Sequence, residues 1–364
     1  MIRILHVVAS LNIGAGMTNV VMNHFKNLYK ENVIFDFLYF DETNGYTFKD
    51  EIAKYGGSFF FIDKKEKRFL KKIKLFIRDN AKKYNAIHCH PAYSWFVCTH
   101  FAKKNGIKKR IVHSHSIKYS NKILSKIRNF ISGLLCTFSA NLFIAVNEES
   151  KRLFPLKRKA KVMALKNGID IKRFLYSKEK RNIIRETYGI QKTTKIITHV
   201  GRFSYEKNHS FIIEMFKKIL EKDKNYYMFL IGDGVLYSDV KLSIVSNHLE
   251  KNIFLLGRKD NVEDFLSATD YFILPSLYEG APVSLIEAQA SGLDCFVSFS
   301  VPKSNTVLNT YRLPLNKGTD YWSEIILKYQ PNCSKNRRKT NEAMIQQGFD
   351  SKTNSNILLN LYLE

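Results

Sequence analysis

The sequence predicts an α/β protein built from two Rossmann-like domains, each a parallel sheet with helices on both faces. Three observations carry that expectation. Short apolar runs of strand length alternate with amphipathic stretches of helix length almost throughout. The 364 residues exceed one ordinary domain and suit two of about 150–200 residues each. Hydrophobic residues at 45% supply material for two cores. No apolar run reaches the roughly 18–20 residues of a membrane-spanning helix.

Residues 2–9 alternate and are rich in β-branched side chains, so they open a first strand; with no small-residue cleavage site they do not read as a signal peptide. A helix is expected over 18–28, a strand over 33–39, a short helix over 48–55 and a strand over 58–62. Residues 64–83 then place Phe69, Leu70, Ile73, Phe76 and Ile77 on one helical face, with Lys65, Arg68, Lys71, Lys72 and Arg78 around the rest. Strands at 86–90, 109–114 and 142–146 alternate with helices at 94–105 and 121–140. The second of these helices sets Ile123, Leu124, Ile127, Phe130, Ile131 and Leu134 opposite Lys122, Lys126 and Arg128. A charged stretch near 170–192 breaks the series and predicts domains over 1–170 and 171–340. Beyond it, strands are expected at 195–200, 227–231, 253–256, 271–274 and 295–298, with helices at 322–327 and 341–361.

Charge is unevenly spread. The net charge is +25, and residues 1–166 carry 31 Lys+Arg against 11 Asp+Glu, whereas 167–364 carry 27 against 22. That asymmetry predicts an anionic partner for the N-terminal half. The two basic amphipathic segments, 64–83 and 121–140, favour an anionic membrane surface, at about 1 kcal/mol per charge close to such a bilayer. No nucleic-acid motif accompanies the charge, so no nucleic acid is expected. A lysine bias that merely solvates the surface is the plainer alternative. The five cysteines (Cys89, Cys98, Cys136, Cys295, Cys333) have neither paired nor metal-type spacing, which predicts buried thiols in a reducing cytoplasm.

Chemistry is expected at the turns that follow the strands. After 271–274, Pro282 and Gly292 bracket a short helix, so residues 280–284 form a helix N-terminus whose N–H groups and dipole suit a phosphate. Glu279 lies on that loop, and Glu287 about a turn and a half into the helix. After 195–200, Gly201 leads to Arg202 and Lys207, two cations able to grip a diphosphate. Gly232 and Gly234 end the next strand; Gly257 and Arg258 end another. In the first half, Gly14, Ala15 and Gly16 form a turn that admits close backbone approach. An isolated Arg or Gly-Asp-Gly turn is usually structural, but an ordered set of them ending in two glutamates is not explained by structure alone.

With these motifs in hand, the sequence resembles the family 4 glycosyltransferases nearly end to end, most closely the bacterial members that build capsular or exopolysaccharide. The most specific match is Glu279 and Glu287 with seven residues between them. Supporting matches are Gly201-Arg202 with Glu206-Lys207-Asn208, Gly232-Asp233-Gly234, Asn167-Gly168-Ile169-Asp170, the 14–16 turn and His113-Ser114-His115. The resemblance implies a GT-B fold, two facing Rossmann-like domains with the active site in the cleft, and a last helix packing back onto the first domain. It implies a retaining hexosyl transfer from a nucleotide-sugar co-substrate, most simply a UDP-sugar, with no cofactor and no metal. The acceptor implied is a lipid-linked saccharide at the inner face of the membrane, on the cytoplasmic side.

Carried over by position, Glu287 would hold the ribose hydroxyls and Glu279 a hydroxyl of the donor sugar. Gly280, Ala281, Val283 and Ser284 would supply backbone contacts, and Gly201, Gly232, Gly234, Gly257 and Arg258 the remaining donor wall. Arg202 and Lys207 would neutralise the leaving diphosphate. His115, or else His113, would reach the donor from the N-terminal side, and Gly14, Ala15 and Gly16 would admit acceptor and diphosphate. The 14–16 turn lacks the acidic residue usual in relatives, and residues 298–304 lack the acids common after the signature. Two other classes fit less well: a sugar-nucleotide epimerase or hydrolase of the same architecture, and a non-enzymatic basic binder.

Overall fold

The structure, a computed structural model, describes residues 1–13, 16–43, 45–119, 123–154, 162–307, 309–331, 337 and 340–364. The chain divides into two units, Met1–Ile169 with Asp350–Glu364, and Asp170–Phe349. In the first unit the elements are β1 (Ile2–Val8), α1 (Gly16–Leu28), β2 (Val33–Tyr39), α2 (Lys49–Lys54), β3 (Phe59–Phe61) and α3 (Phe69–Asn80). They continue with β4 (Ala86–Cys89), α4 (Trp95–Lys104), β5 (Lys109–Ser114), α5 (Ile123–Cys136), β6 (Leu142–Ala145) and β7 (Val162–Ala164).

All seven strands pair in parallel in the order β3-β2-β1-β4-β5-β6-β7. Every residue of β4 is buried and β1 is buried from Ile4 onward. Such strands read as continuous apolar runs because helices cover both faces. One face packs Ile73, Ile77, Trp95, Cys98 and Cys136 of α3, α4 and α5 against the sheet. The other packs Val21 and Phe25 of α1 with Leu358 and Tyr362 of the C-terminal segment.

The second unit contains α6 (Lys178–Thr187), β8 (Lys195–Val200), α7 (His209–Lys222), β9 (Tyr226–Ile231), α8 (Tyr237–Ser246), β10 (Ile253–Gly257) and α9 (Val262–Ala268). After these come β11 (Tyr271–Leu274), α10 (Val283–Ala290), β12 (Asp294–Ser298), β13 (Thr310–Leu313), α11 (Gly318–Lys328) and α12 (Thr340–Gln346). Its sheet runs β10-β9-β8-β11-β12-β13, again parallel. In both sheets the order reverses beside the first strand, between β1 and β4 and between β8 and β11. Such switch points leave a crevice at the carboxyl ends of the strands, where ligands of open α/β sheets bind.

Several boundaries differ from expectation for visible reasons. The segment expected to be helical from 64 begins its helix only at Phe69, because Asp63 first closes a turn: its carboxylate accepts from Lys65 N at 2.8 Å and its carbonyl from Glu66 N at 3.2 Å. The expected helix over 121–140 is α5, ending at Cys136 in a turn through Phe138. Pro282 occupies the cap position of α10 instead of its first turn. The tail is two helices, not one. Gly348, at φ 80°, ends the α12 segment, and α13 (Ser351–Leu363) restarts under Asp350, whose side chain accepts from Thr353 N. Residues up to 349 stay with the second unit, and only α13 belongs to the first. Cys89, Cys98, Cys136 and Cys295 are buried free thiols, while Cys333 lies outside the described residues.

Candidate active site

The donor-side residues gather at the β8/β11 switch point of the second unit. Three consecutive strand ends are stitched together by their glycine turns: Gly201 N donates to Ile231 O at 3.0 Å, Gly232 N to Gly257 O at 2.8 Å, and Phe203 N to Asp233 O at 2.9 Å. Gly232 sits at φ 142°, and a Cβ there would fall 1.9 Å from Gly201 O, so no other residue fits without moving the backbone. The β8 and β11 loops are joined as well. Leu277 N donates to Glu206 O at 2.8 Å, and Asn208 Nδ2 to Pro275 O at 3.1 Å, with Asn208 itself left-handed at φ 59°.

This framework brings Lys207 and Glu279 together. Lys207 Nζ lies 2.6 Å from Glu279 Oε1, with the two side chains only 14% and 10% exposed. Ser276 Oγ donates to the same oxygen at 2.6 Å. Sequence reasoning missed Ser276, which faces Glu279 from three residues away, and it assigned Lys207 to the diphosphate without seeing this pairing. Arg202 is exposed on the same loop. Gly201 is held so close that a Cβ would lie 3.0 Å from His199 Nε2 and 3.4 Å from Lys207 Cδ.

Behind Glu279, Asn305 Nδ2 donates to Gly280 O at 3.0 Å, and Ser298 Oγ donates to Ser276 O. Gln289, buried inside α10, donates to Asn305 O at 3.0 Å and so ties the helix to the loop that follows β12. Val283 and Ser284 form the first turn of α10, where backbone N–H groups have no intrahelical acceptor. Glu287 is half-buried one turn further on. Burial pushes its carboxyl up to about 7; the Arg173 guanidinium pulls in the opposite direction and Glu263 adds to the rise. Arg173 is itself paired with Glu263 at 2.9 Å. Neither Arg173 nor Glu263 was singled out from sequence, since only the fold brings them to Glu287. Gly234 and Gly257 close the neighbouring turns, and Arg258 is half-buried after β10.

The remaining candidates belong to the first unit. Gly14 and Ala15 lie outside the described residues; Gly16 opens α1, and a Cβ there would meet nothing within 4 Å. Six histidines cluster in this unit: His6 in β1, His24 in α1, His88 in β4 and His90 just after it, His113 in β5 and His115 just after it. His115 is half-buried with both ring nitrogens engaged, Nδ1 with Asn167 Oδ1 at 3.2 Å and Nε2 with His90 Nδ1 at 2.9 Å. His90 Nε2 in turn meets His6 Nδ1 at 3.0 Å, and Tyr362 Oη of α13 lies 2.8 Å from His88 Nδ1 and 3.4 Å from His6 Nε2. Asn167 Oδ1, as acceptor, places a proton on His115 Nδ1 and orients the whole chain of imidazoles. His113 is buried beside them, and among the described residues neither of its nitrogens has a hydrogen-bond partner. Burial depresses all of these imidazoles, His115 to about 4 and His24 to about 3.

Two triples of these residues, His6/His88/His90 and His90/His113/His115, hold ring nitrogens within 4.8 Å of one another. In each triple one pair is hydrogen-bonded, His6 with His90 at 3.0 Å and His90 with His115 at 2.9 Å, while His88 is bonded to Tyr362 instead.

A family model for glycosyl transferases group 1 matches residues 180–319. EpsF of Bacillus subtilis (strain 168), described as a glycosyltransferase, is 29% identical over 99% of this chain and 96% of its own length. The capsular polysaccharide biosynthesis glycosyltransferase CapH of Staphylococcus aureus is 28% identical over 85% of this chain and 84% of its own. The Escherichia coli UDP-Gal:alpha-D-GlcNAc-diphosphoundecaprenol alpha-1,3-galactosyltransferase is 27% identical over 60% of this chain and 58% of its own. Among solved structures, Anabaena Alr3699/HepE in complex with UDP and glucose superposes with a TM-score of 0.80 at 17% identity, covering 99% of each chain. Two parallel Rossmann-like units and the likeness to HepE identify a GT-B fold, and the family model and relatives identify a glycosyltransferase. The chain is similar to the family 4 type of these enzymes.

Proposed function

We propose that the protein moves a sugar from a UDP-sugar onto a lipid-linked saccharide, with retention at the anomeric carbon, in the synthesis of a capsular or extracellular polysaccharide. The observation that carries this reading is the Lys207–Glu279 ion pair at the head of α10, with Ser276 on the same carboxylate oxygen. A retaining glycosidase frees one carboxylate to attack the anomeric carbon. Glu279 is instead committed to a cation and a hydroxyl, which suits a residue that positions a donor-sugar hydroxyl. Retention then follows from a front-face displacement. The bond from the anomeric carbon to the diphosphate oxygen breaks as the acceptor oxygen bonds on the same face. The acceptor's proton passes to the departing diphosphate.

Arg202, Lys207 and the first turn of α10 supply positive charge to the leaving group, so no metal is required at the diphosphate. Glu287 accepts from the ribose hydroxyls. Support for a UDP donor comes from the UDP complex of HepE, and for a diphosphoundecaprenol-linked acceptor from the name of the Escherichia coli relative.

The test uses purified full-length protein, a panel of UDP-sugars and undecaprenyl-diphosphate-linked saccharides. UDP release should require the acceptor and persist in EDTA. Glu279→Gln should lower transfer by about 100-fold or more with the fold retained by circular dichroism. Gln is the better replacement than Ala because its amide oxygen still accepts from Lys207 and Ser276, although either variant removes the counterion of Lys207 and should lower the melting temperature. UDP release without acceptor would favour the hydrolase reading, and normal transfer by Glu279→Gln would sink the role given to Glu279.

A further inference from the structure

The two basic amphipathic segments prove unlike in the fold. In α3 the apolar face turns inward: Ile73 and Ile77 are buried, Phe69 and Phe76 pack on the core, and only Leu70 is strongly exposed. That helix needs no partner for its apolar side. In α5 the arrangement is reversed. Its buried residues are Asn129, Ser132, Gly133 and Cys136, while Ile123, Leu124, Ile127, Phe130 and Ile131 are between 48% and 83% exposed.

Contacts lock that orientation. Asn129 Nδ2 donates to Tyr119 O at 2.7 Å, Phe96 N donates to Ser132 Oγ at 3.2 Å, and a Cβ on Gly133 would lie 2.8 Å from Tyr119 Oη. Small and polar residues thus face the protein, and the large apolar ones face out. Phe138, just past the helix, extends the patch at 73% exposed, and Lys103 Nζ donates to its carbonyl at 2.9 Å. A contiguous apolar stripe of this size marks an interaction surface.

Charge selects the partner. The neighbouring helices α3, α4 and α5 carry Lys71, Lys72, Lys74, Arg78, Lys103, Lys104, Lys126 and Arg128, against the single acid Asp79. Apolar residues rimmed by cations fit the interface of an anionic bilayer, with the side chains among the acyl chains and the cations at the headgroups. No described helix is long and apolar enough to cross a membrane.

We propose that α5, with Phe138, lies in the plane of an anionic lipid bilayer and is the element that holds this protein on a membrane surface, whereas α3 contributes charge alone. The proposal does not depend on the donor chemistry above.

Vesicle flotation with the full chain tests it. Binding should be at least about tenfold tighter to vesicles containing phosphatidylglycerol than to phosphatidylcholine alone. Leu124→Ser, Ile127→Ser and Phe130→Ser combined should weaken it by at least about tenfold, with circular dichroism and UDP affinity unchanged. A tryptophan introduced by Phe130→Trp should be quenched by brominated lipid. The proposal is overturned if the wild type does not float, if the triple variant floats as well as the wild type, or if the wild type is a dimer that the triple variant turns into a monomer.

Discussion

Glu287 is a candidate-site residue whose carboxyl departs from its ordinary chemistry. Its carboxyl titrates near 7, against an ordinary value of 4.5, because burial disfavours the charge and the nearby Glu263 adds repulsion. The sign of the linkage follows. Between pH 4.5 and 7 the folded unit holds a proton that the unfolded chain has released, so stability is lost as pH rises through that window. The full difference is on the order of 3 kcal/mol. Glu287→Gln removes the titration, and its melting temperature should therefore exceed the wild type's at pH 8 and converge with it near pH 4.5. Binding runs the other way. In the proposed role of Glu287, ribose hydroxyls donate best to the carboxylate, so UDP affinity should rise from pH 6 to pH 8 in the wild type and be weaker and flat in Glu287→Gln. Calorimetry and thermal melts across that range check both; a variant that keeps the wild-type pH profile would assign the proton elsewhere.

Among the elements, α13 depends most on sequence-distant contacts. It crosses the first sheet's α1 face with Leu358 and Tyr362 buried, and it meets the histidine cluster through Tyr362. His24 Nδ1 lies 2.9 Å from Ser355 Oγ, and Asn354 Nδ2 donates to Lys166 O at 2.9 Å. Tyr362→Phe keeps the ring and deletes the hydroxyl between His88 and His6, leaving buried nitrogens unsatisfied at about 1–3 kcal/mol. Its melting temperature should fall by about 2–10 °C. A shift below 1 °C would show that the hydroxyl is dispensable.

The same element scale shows what the sequence reveals and what it hides. Buried parallel strands such as β11, Tyr271–Leu274, announce themselves as apolar runs. The two strands that escaped notice, β7 and β13, both lie at sheet edges. With one partner each and little burial, neither stands out: Thr310–Leu313 carries no apolar run, and the apolar run at Val162–Ala164 is only three residues long in the strand. The candidate residues Arg202, Lys207, Glu279 and Glu287 could be picked out because all follow strands, and strand ends are where open α/β sheets bind ligands. Ser276, Arg173 and Glu263 were not, since nothing in a linear pattern tells which side chains will face a given carboxylate. Nor could the pattern of α5 tell which of its faces turns inward: amphipathic spacing is the same for a helix that covers a core and one that offers its apolar side to a membrane.

At the scale of the whole molecule, the two units should respond to acid differently. The first holds six imidazoles depressed by burial, those of His6, His24, His88, His90, His113 and His115. Among the described residues the second holds two, His199 and His209, the latter at about 4. Each stays neutral in the folded state below 6.5, where the unfolded chain takes up a proton, so stability present above pH 6.5 is lost as pH falls towards the folded values. One such proton tilts stability by about 1.4 kcal/mol per pH unit. Six act in the same direction on the first unit, so acid should destabilise it more steeply than the second. In the second unit Glu287 also opposes the effect, since its protonation on acidification favours the fold. The chain contains two tryptophans, Trp95 in the first unit and Trp322 in the second, each fully buried. Trp322→Phe therefore leaves a reporter in an unaltered first unit, and Trp95→Phe one in an unaltered second. Followed by fluorescence from pH 7 down to pH 4, the Trp95 signal should report unfolding at a higher pH than the Trp322 signal. Coincident transitions, or a Trp322 signal lost first, would show that the buried histidines do not govern the acid stability of the first unit.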